Sequence, residues 1–289
     1  TEVDRYLLSN NDIPAEALAK LDTGKAPRSS YLSSDASKIQ VFVLFGLDGV
    51  DSSDSVMLVA LDRVHQKIKL ISLARDSYVF IPEYGFFSKL AYSYTWGGAA
   101  MAVKNLNYNY YLNVSDYIAV DFDQLAQIID RIGGVTVNID EDEARYLSNY
   151  PNVHVGDCLL DGETAVSYAR IRKSSATDSD RKRTGRQREV ILSILNTLQT
   201  MPLSQYPGFV RDCLGMCATS FEAETLLTMA AETLGQNYTV EQYFFPEGQV
   251  DWWAGLIKEY FYYVYDLRRA SDRIYRIIYE ELYISGYDD

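Results

Sequence analysis

The chain has little of what metal cages, nucleophilic triads and membrane spans are built from. Only two histidines occur, His65 and His154, far apart in sequence, and the three cysteines (Cys158, Cys213, Cys217) form no C-x-x-C pair. A Cys/His zinc site is therefore excluded as an expectation. The sequence holds no G-x-S-x-G nucleophile elbow. No apolar run reaches the ~18 residues of a spanning helix. Positive charge is also scarce: 27 Lys+Arg stand against 40 Asp+Glu, a formal charge of −13 with a pI near 4.7. That balance argues against broad binding to nucleic acid or an anionic membrane, while leaving room for a local anion pocket. The sequence opens at Thr1 rather than Met, as expected of a processed or shortened chain, so the lack of a signal or anchor does not argue for cytoplasmic residence.

Tyrosine is abundant, with 24 residues. Its apolar ring and polar tip suit a wet groove, an interface, a membrane boundary or simply the rim of a core. Cys213 and Cys217, four apart, would share a face if both are helical, and buried free thiols are the plainer expectation for them.

Residues 1–38 read as a polar, irregular segment. "IQVFVLFG" (39–46), "SVMLVALD" (55–62) and "KIKLISL" (67–73) read as strands, and the short "RVHQ" break makes the last two an antiparallel hairpin. "GGAAMAVKNLNYNYYL" reads as a helix entered through Gly97 and Gly98. "DYIAVDF" is a strand, "FDQLAQIIDRIGG" an amphipathic helix stopped by Gly133 and Gly134, and "VTVNI" another strand. Asp161 is a candidate N-cap for "GETAVSYA". Beyond residue 200 the composition turns acidic, 6 Lys+Arg against 14 Asp+Glu, with a helix at "AETLLTMAAETLG", a strand at "YFYYVYD" and a helix at "LRRASDRIYRIIYEELY". The expected fold is mixed α/β, a central mixed sheet flanked by helices on both faces. The expected organisation is a polar segment at 1–38, a core at 39–200 and a portion at 201–289 packed on the same domain.

"DSDRKRTGRQREVILSIL" (178–195) reads as a helix of about five turns. At 100° per residue, Val190, Ile191, Ile194 and Leu198 form an apolar stripe. Extended backward, that stripe passes through Gln187 and Arg183, with Arg186 at its edge and Asp180 one turn earlier. A cation on a core-facing stripe needs a partner. From Arg170 to Arg188 the chain carries eight basic residues and two acidic ones. Guanidinium forks match phosphate oxygens, so Arg170, Arg172, Arg183 and Arg186 are candidates for an anion pocket. Lys173, Lys182 and Arg188 read as a solvated basic face.

"GLDGVDSSDS" (46–55) places Asp48, Asp51 and Asp54 in one loop after the first strand. Such a loop is common turn chemistry, and it is also what Mg2+ needs when one or two carboxylates are completed by substrate phosphates. Arg75 and Asp76 follow the third strand. They could be a surface ion pair, or Arg75 could contact phosphate.

In order along the chain stand "LFGLDG", "SSDSVMLVAL", "ISLARDSYV", "SKLAYSYTWGG", "DYIAVDFDQLAQIIDRIGGVTVNI", "LLDGETAVSYARIR" and "DSDRKRTGRQREVI". Over roughly Gln40 to Leu198 this set resembles the LytR–CpsA–Psr family of cell-envelope proteins. The resemblance implies an apolar tunnel for a lipid tail and an N-terminal helix, missing from this chain, that anchors the domain on the outer face of the cytoplasmic membrane of a Gram-positive bacterium. It implies transfer of a glycopolymer such as teichoic acid, capsule or another wall polysaccharide. The donor would be a polyprenyl-pyrophosphate carrier, the acceptor peptidoglycan, the product a phosphodiester, and the ion Mg2+ or Mn2+. By motif, Asp48 and Asp54 would hold the metal, with Asp51 able to replace either. Arg75, Lys89, Arg170, Arg172, Arg183, Arg186 and Gln187 would engage the pyrophosphate, and Asp180 would orient Arg183. Asp48, Asp54, Arg75 and Arg183 are the expected catalytic set. The family often has Arg where this chain has Ser52, Asn and His where it has Ala91 and Tyr92, and Pro where it has Ala74. These departures keep open a non-catalytic polyprenyl-phosphate binder and a pyrophosphohydrolase in which water replaces the sugar.

Overall fold

The computed structural model describes residues 12–21, 31–32, 34–49, 53–172, 176–234, 238–248, 250–279 and 283–284, and within these the side chains of 31–34, 176–180, 234 and 283–284 are not described. The chain begins with α1 (Ala15–Leu21), β1 (Tyr31–Leu32), β2 (Ile39–Leu47), β3 (Ser53–Asp62), β4 (Lys67–Leu73), β5 (Tyr78–Ile81), β6 (Phe86–Lys89) and α2 (Tyr92–Tyr110). It continues with β7 (Asp116–Asp121), α3 (Phe122–Arg131), β8 (Val135–Ile139), α4 (Glu141–Tyr146), β9 (Gly156–Leu160), α5 (Gly162–Ala169) and α6 (Ala176–Thr200). Then come α7 (Tyr206–Met216), β10 (Ala218–Thr219), α8 (Ala223–Leu234), β11 (Thr239–Phe245), β12 (Trp252–Ile257), β13 (Tyr260–Tyr265), α9 (Leu267–Tyr279) and β14 (Tyr283–Ile284). The fold is mixed α/β. Its central sheet is mixed and six-stranded, in the order β10-β7-β2-β3-β4-β11. The described residues divide into two compact units, one drawn from 1–45, 50–117 and 241–289, the other from 46–49 and 118–240. The acidic segment beyond residue 200 is therefore shared between them.

In the first unit, β3 and β4 pair antiparallel from Val56↔Leu73 to Asp62↔Lys67. The Asp62 side chain closes their turn by accepting the Val64 and His65 amides, each at 3.0 Å. Across the hairpin Lys69 Nζ donates to Asp62 Oδ2 and to the carbonyl of Ile278 in the last turn of α9, both at 3.0 Å. An ammonium is favoured at a helix C-terminus, where carbonyls lack intrahelical partners. The α9 face carrying Ala270, Ser271, Ile274, Ile277 and Ile278 is buried, a helical stripe, and α9 packs on α2. The α2 helix starts at Tyr92, earlier than the glycines expected to open it. Those glycines interrupt it instead: Gly97 and Gly98 leave helical geometry, Gly98 with φ of 64°. The β12–β13 hairpin packs with α1 through Ile13, Ala17, Ile257, Tyr262 and Val264.

In the second unit, β8 and β9 form an antiparallel hairpin from Val135↔Leu160 to Ile139↔Gly156. Val135, Val137 and Ile139 alternate inward and join Ile129, Tyr168 and Val190 in one core. Asp121 and Asp140 each make a full capping box, at the starts of α3 and α4, and Asp161 caps α5 by accepting the Thr164 amide at 2.9 Å. α6 runs for 25 residues, about seven turns rather than the expected five. Its side chains complete the β8 backbone: Thr136 N donates to Ser193 Oγ at 2.8 Å, and Asn138 N to Glu189 Oε1 at 3.1 Å. Four residues of helix rise ~6 Å and two residues of strand ~6.6 Å, so acceptors spaced i, i+4 meet donors spaced i, i+2. Cys213 lies in α7, while Cys217 follows it with extended backbone (φ −137°), so the two do not share a helix face. Burial pushes the Cys213 thiol up to about 12.

Candidate functional site

The first unit contributes a cationic corner built on the turn after β4. Five backbone hydrogen bonds hold it. Ala74 N donates to Phe245 O, Ser77 N to Ala74 O, Ala91 N to Arg75 O, Tyr263 N to Asp76 O and Leu90 N to Ser77 O, all at 3.0 Å. Beneath it, Ser77 Oγ meets Tyr265 Oη at 2.8 Å, and Tyr265 Oη meets Tyr110 Oη at 2.6 Å. Burial holds Tyr110 well above the ordinary phenol range and pushes Tyr265 up to about 12, so both remain neutral.

On this rigid turn Arg75 donates through Nη1 to Asp54 Oδ1, and Asp54 is 7% exposed at the start of β3. The Arg75 Nε is buried and has no hydrogen-bond partner among the described residues; the nearest Asp76 oxygen is 3.7 Å away. A buried N–H without an acceptor is costly, and an incoming anion would satisfy it. Lys89 Nζ binds Asp76 Oδ1 at 2.7 Å and lies 6.0, 5.9 and 5.5 Å from the ring centroids of Tyr92, Tyr260 and Tyr262. Arg75 and Asp76 are thus not merely an exposed surface pair. The tyrosines around Lys89 were not legible locally, since Tyr260 and Tyr262 enter from β13, some 170 residues on.

The second unit presents the basic helix. Arg183 is 2% exposed and Gln187 9%, in line with Val190 and Leu198, so the core-facing stripe does pass through both. Gln187 Oε1 is buried without a hydrogen-bond partner among the described residues. Arg186 is engaged internally: Nε donates to Glu143 Oε1 at 2.6 Å, Nη1 donates to Ile171 O at 3.2 Å, and the guanidinium lies 5.9 Å from the Tyr168 ring centroid. Burial, with Glu189 accepting the Tyr168 hydroxyl at 2.5 Å, holds that phenol far above its ordinary range. Glu143 also accepts the Asp140 amide in the α4 capping box, so one carboxylate serves two elements. The D-x-x-E spacing signals the cap; nothing in it signals the ion pair. Arg170 caps the end of α5, exposed, with its guanidinium 4.4 Å from the Phe122 ring centroid, and Arg172 is exposed. Lys182 is exposed as expected. Arg188 differs, being half-buried, and burial and neighbouring Arg181 lower it to about 10.

Asp51, Ser52 and Lys173 lie outside the described residues, as does the Asp180 side chain. Asp48 is described and half-buried, in the 46–49 segment of the second unit. Among the described residues no group of three or more His, Cys, Asp or Glu is gathered as a metal cage. Mg2+ does not require one, because it is commonly held by one or two carboxylates together with phosphate oxygens and water. Asp48 in the second unit and Asp54 in the first are each a hard-oxygen donor of the type that Mg2+ takes. Among the described residues no helix is long and apolar enough to cross a membrane.

A family model described as the LytR_cpsA_psr family matches residues 12–275. The polyisoprenyl-teichoic acid–peptidoglycan teichoic acid transferase TagU of Oceanobacillus iheyensis is 29% identical over 230 residues, 76% of this chain and 69% of that protein. A solved structure of TagT bound to LI-WTA superposes with a TM-score of 0.71 at 20% identity, covering 90% of this chain and 98% of that one. TagT (YwtF) with bound octaprenyl pyrophosphate lipid gives 0.66 at 18% identity, covering 91% and 97%. These structural likenesses concern the fold, whereas the family model spans nearly the whole sequence, both cationic regions included. The chain belongs to the LytR_cpsA_psr family.

Proposed function

We propose that this protein transfers a glycopolymer from a polyprenyl-pyrophosphate carrier to a sugar hydroxyl of peptidoglycan, on the outer face of the cytoplasmic membrane. The geometric observation that carries the reading is Arg75: a guanidinium on a hydrogen-bonded turn, paired with buried Asp54, with its own Nε a buried donor lacking an acceptor among the described residues. The naming of a 29%-identical relative as a teichoic acid transferase, and the octaprenyl pyrophosphate held by a fold relative, support it.

In this reading the acceptor hydroxyl oxygen attacks the glycan-bearing phosphorus. The bond from that phosphorus to the bridging oxygen breaks, and polyprenyl phosphate leaves with the electron pair. The hydroxyl proton passes to a base, for which a carboxylate of the 48–54 loop is the candidate. Arg75, Lys89, Arg170, Arg172, Arg183 and Gln187 are the proposed donors to the pyrophosphate, and Asp180 the group that orients Arg183; Arg186, expected among them, is instead held by Glu143 and Ile171 O. Of these, Arg75 and Arg183 would act on charge developing at the leaving phosphate, and buried donors do so more strongly than solvated ones. Asp48 and Asp54 would hold Mg2+ or Mn2+, which when bound neutralises phosphate charge. The apolar channel for the prenyl tail belongs to the same proposal.

The test is incubation with a polyprenyl-pyrophosphate glycan and peptidoglycan oligomers, with and without Mg2+, followed by mass spectrometry. Conjugate is the expected product. Free phosphorylated glycan instead would mean hydrolysis, and intact retained lipid would mean a binder. Arg183→Ala is expected to weaken donor binding far more than Lys182→Ala, which removes an exposed charge of the same helix. Equal losses would remove α6 from the site.

A further inference from the structure

Four aromatic rings gather where the β5–β6 hairpin meets the first turns of α2. Trp96 sits at the centre, its ring centroid 5.2 Å from Tyr84, 5.8 Å from Phe86 and 5.3 Å from Tyr92. Tyr84 is 42% exposed, and Phe86, Tyr92 and Trp96 are half-buried, so the group is neither core nor loose surface. The cluster adjoins the cationic corner directly: Tyr92, which packs on Trp96, is also one of the rings under Lys89, and Lys89 binds Asp76 beside Arg75. Glu83, next to Tyr84 in the β5–β6 turn, pairs with Lys104 of α2 at 2.6 Å, a polar rim beside the exposed ring.

We propose that this cluster is a stacking platform for the sugar rings bonded to the pyrophosphate of the donor, an inference that rests on the transferase reading. Aromatic faces accept the C–H-lined faces of pyranose rings, while neighbouring charged groups meet their hydroxyls; an apolar surface with convergent polar groups is what such a ligand needs. A lipid surface is the other partner that exposed Trp and Tyr attract. Here the rim is a carboxylate–ammonium pair on a chain of charge −13, which does not draw an anionic membrane. The continuity from Lys89 through Tyr92 to Trp96 also matches a ligand in which a sugar is bonded directly to a phosphate. A free lipid tail would not need that order.

The experiment compares binding of two probes, a short prenyl pyrophosphate and the same compound carrying an N-acetylhexosamine disaccharide. Wild-type protein is expected to bind the glycosylated probe more tightly. Tyr84→Ala and Trp96→Ala are expected to weaken that probe by about five- to tenfold, the scale of a lost aromatic contact, and the unglycosylated probe by less than about twofold. Trp96→Phe keeps a ring and is expected to retain most of the preference. Tyr84 is exposed enough that its truncation tests the site without threatening the fold. Equal affinity of wild type for the two probes overturns the platform while leaving the transferase reading intact, and so does equal weakening of both probes by the variants. Loss of co-sedimentation with phosphatidylethanolamine–phosphatidylglycerol vesicles, with probe preference unchanged, overturns it in favour of a membrane contact. Failure of wild type to bind either probe overturns the transferase reading and the platform with it.

Discussion

Arg186 and Glu143 meet with nearly all their surface withheld from water: Arg186 Nε bonds Glu143 Oε1, Arg186 Nη1 bonds Ile171 O, and Glu143 Oε2 accepts Asp140 N. A buried ion pair is weak as a source of net stability but costly to break, since removing one member strands the other charge in a low-dielectric site. Arg186→Ala is therefore expected to destabilise the fold by about 3–5 kcal/mol, measured by urea or thermal unfolding. Arg186→Ala combined with Glu143→Ala should lose less than the two single changes added together, because the stranded charge is gone. Strict additivity in that cycle would mean the pair is not coupled. Arg183, three residues earlier and also buried, stands in the apolar stripe itself, whereas the helical wheel puts Arg186 only at its edge and carries no sign of Glu143.

Between elements, α3 and α5 meet backbone to backbone at Gly162, the first residue of α5. A Cβ built there would stand 2.1 Å from the carbonyl oxygen of Ala126 in α3, and the Gly162 amide donates to Asp130 Oδ1 of the same helix at 2.7 Å. The contact is backbone to backbone, so no flexible side chain can move aside. Gly162→Ala is expected to force α3 and α5 apart and cost about 2–3 kcal/mol, although alanine is the better helix former in isolation. A melting temperature equal to or above wild type would show that the helices can re-seat. Because α5 ends at Arg170 and leads toward α6, a shift here should also move Arg170 and Arg172. The period of "GETAVSYA" and its Asp161 cap predict the helix; they say nothing of why its first residue must be glycine, since that follows from what lies across from it.

For the molecule as a whole, pH enters through the buried tie at the end of the β3–β4 hairpin. Asp62 and Lys69 are both fully buried, and Lys69 also binds the last turn of α9. Burial works to raise the Asp62 carboxyl, but hydrogen bonds from His65 and Lys69 outweigh it and hold the group below its ordinary 3.8. A depressed folded-state value means that the unfolded chain takes up the proton first. The stability contributed is complete above 3.8 and is lost as pH falls through the lower folded-state value. Unfolding free energies of wild type and Asp62→Asn, measured by denaturant titration, are expected to differ most at neutral pH and to converge in acid. A difference that stays constant into strong acid would remove Asp62 from the linkage.

Local chemistry was sufficient for much of this protein. The alternating and continuous apolar runs specify β2, β3, β4, β7 and β8, the Asp caps specify helix starts, and the period of 178–198 places Arg183 and Gln187 on the buried face, because each depends only on residues within a turn or a strand length. Short or weakly patterned elements such as β5, β6, β9 and β12 went unread, since their partners rather than their composition make them strands. Tertiary structure alone decided which charge meets which: Glu143 on Arg186, Tyr260 and Tyr262 under Lys89, Ile278 O on Lys69. Those contacts join residues from 43 to 209 positions apart, and no local period carries information about them. The difference is physical. Propensity and amphipathicity act along the chain, whereas the burial that makes a lone charge intolerable, and so selects its partner, exists only once the chain has folded.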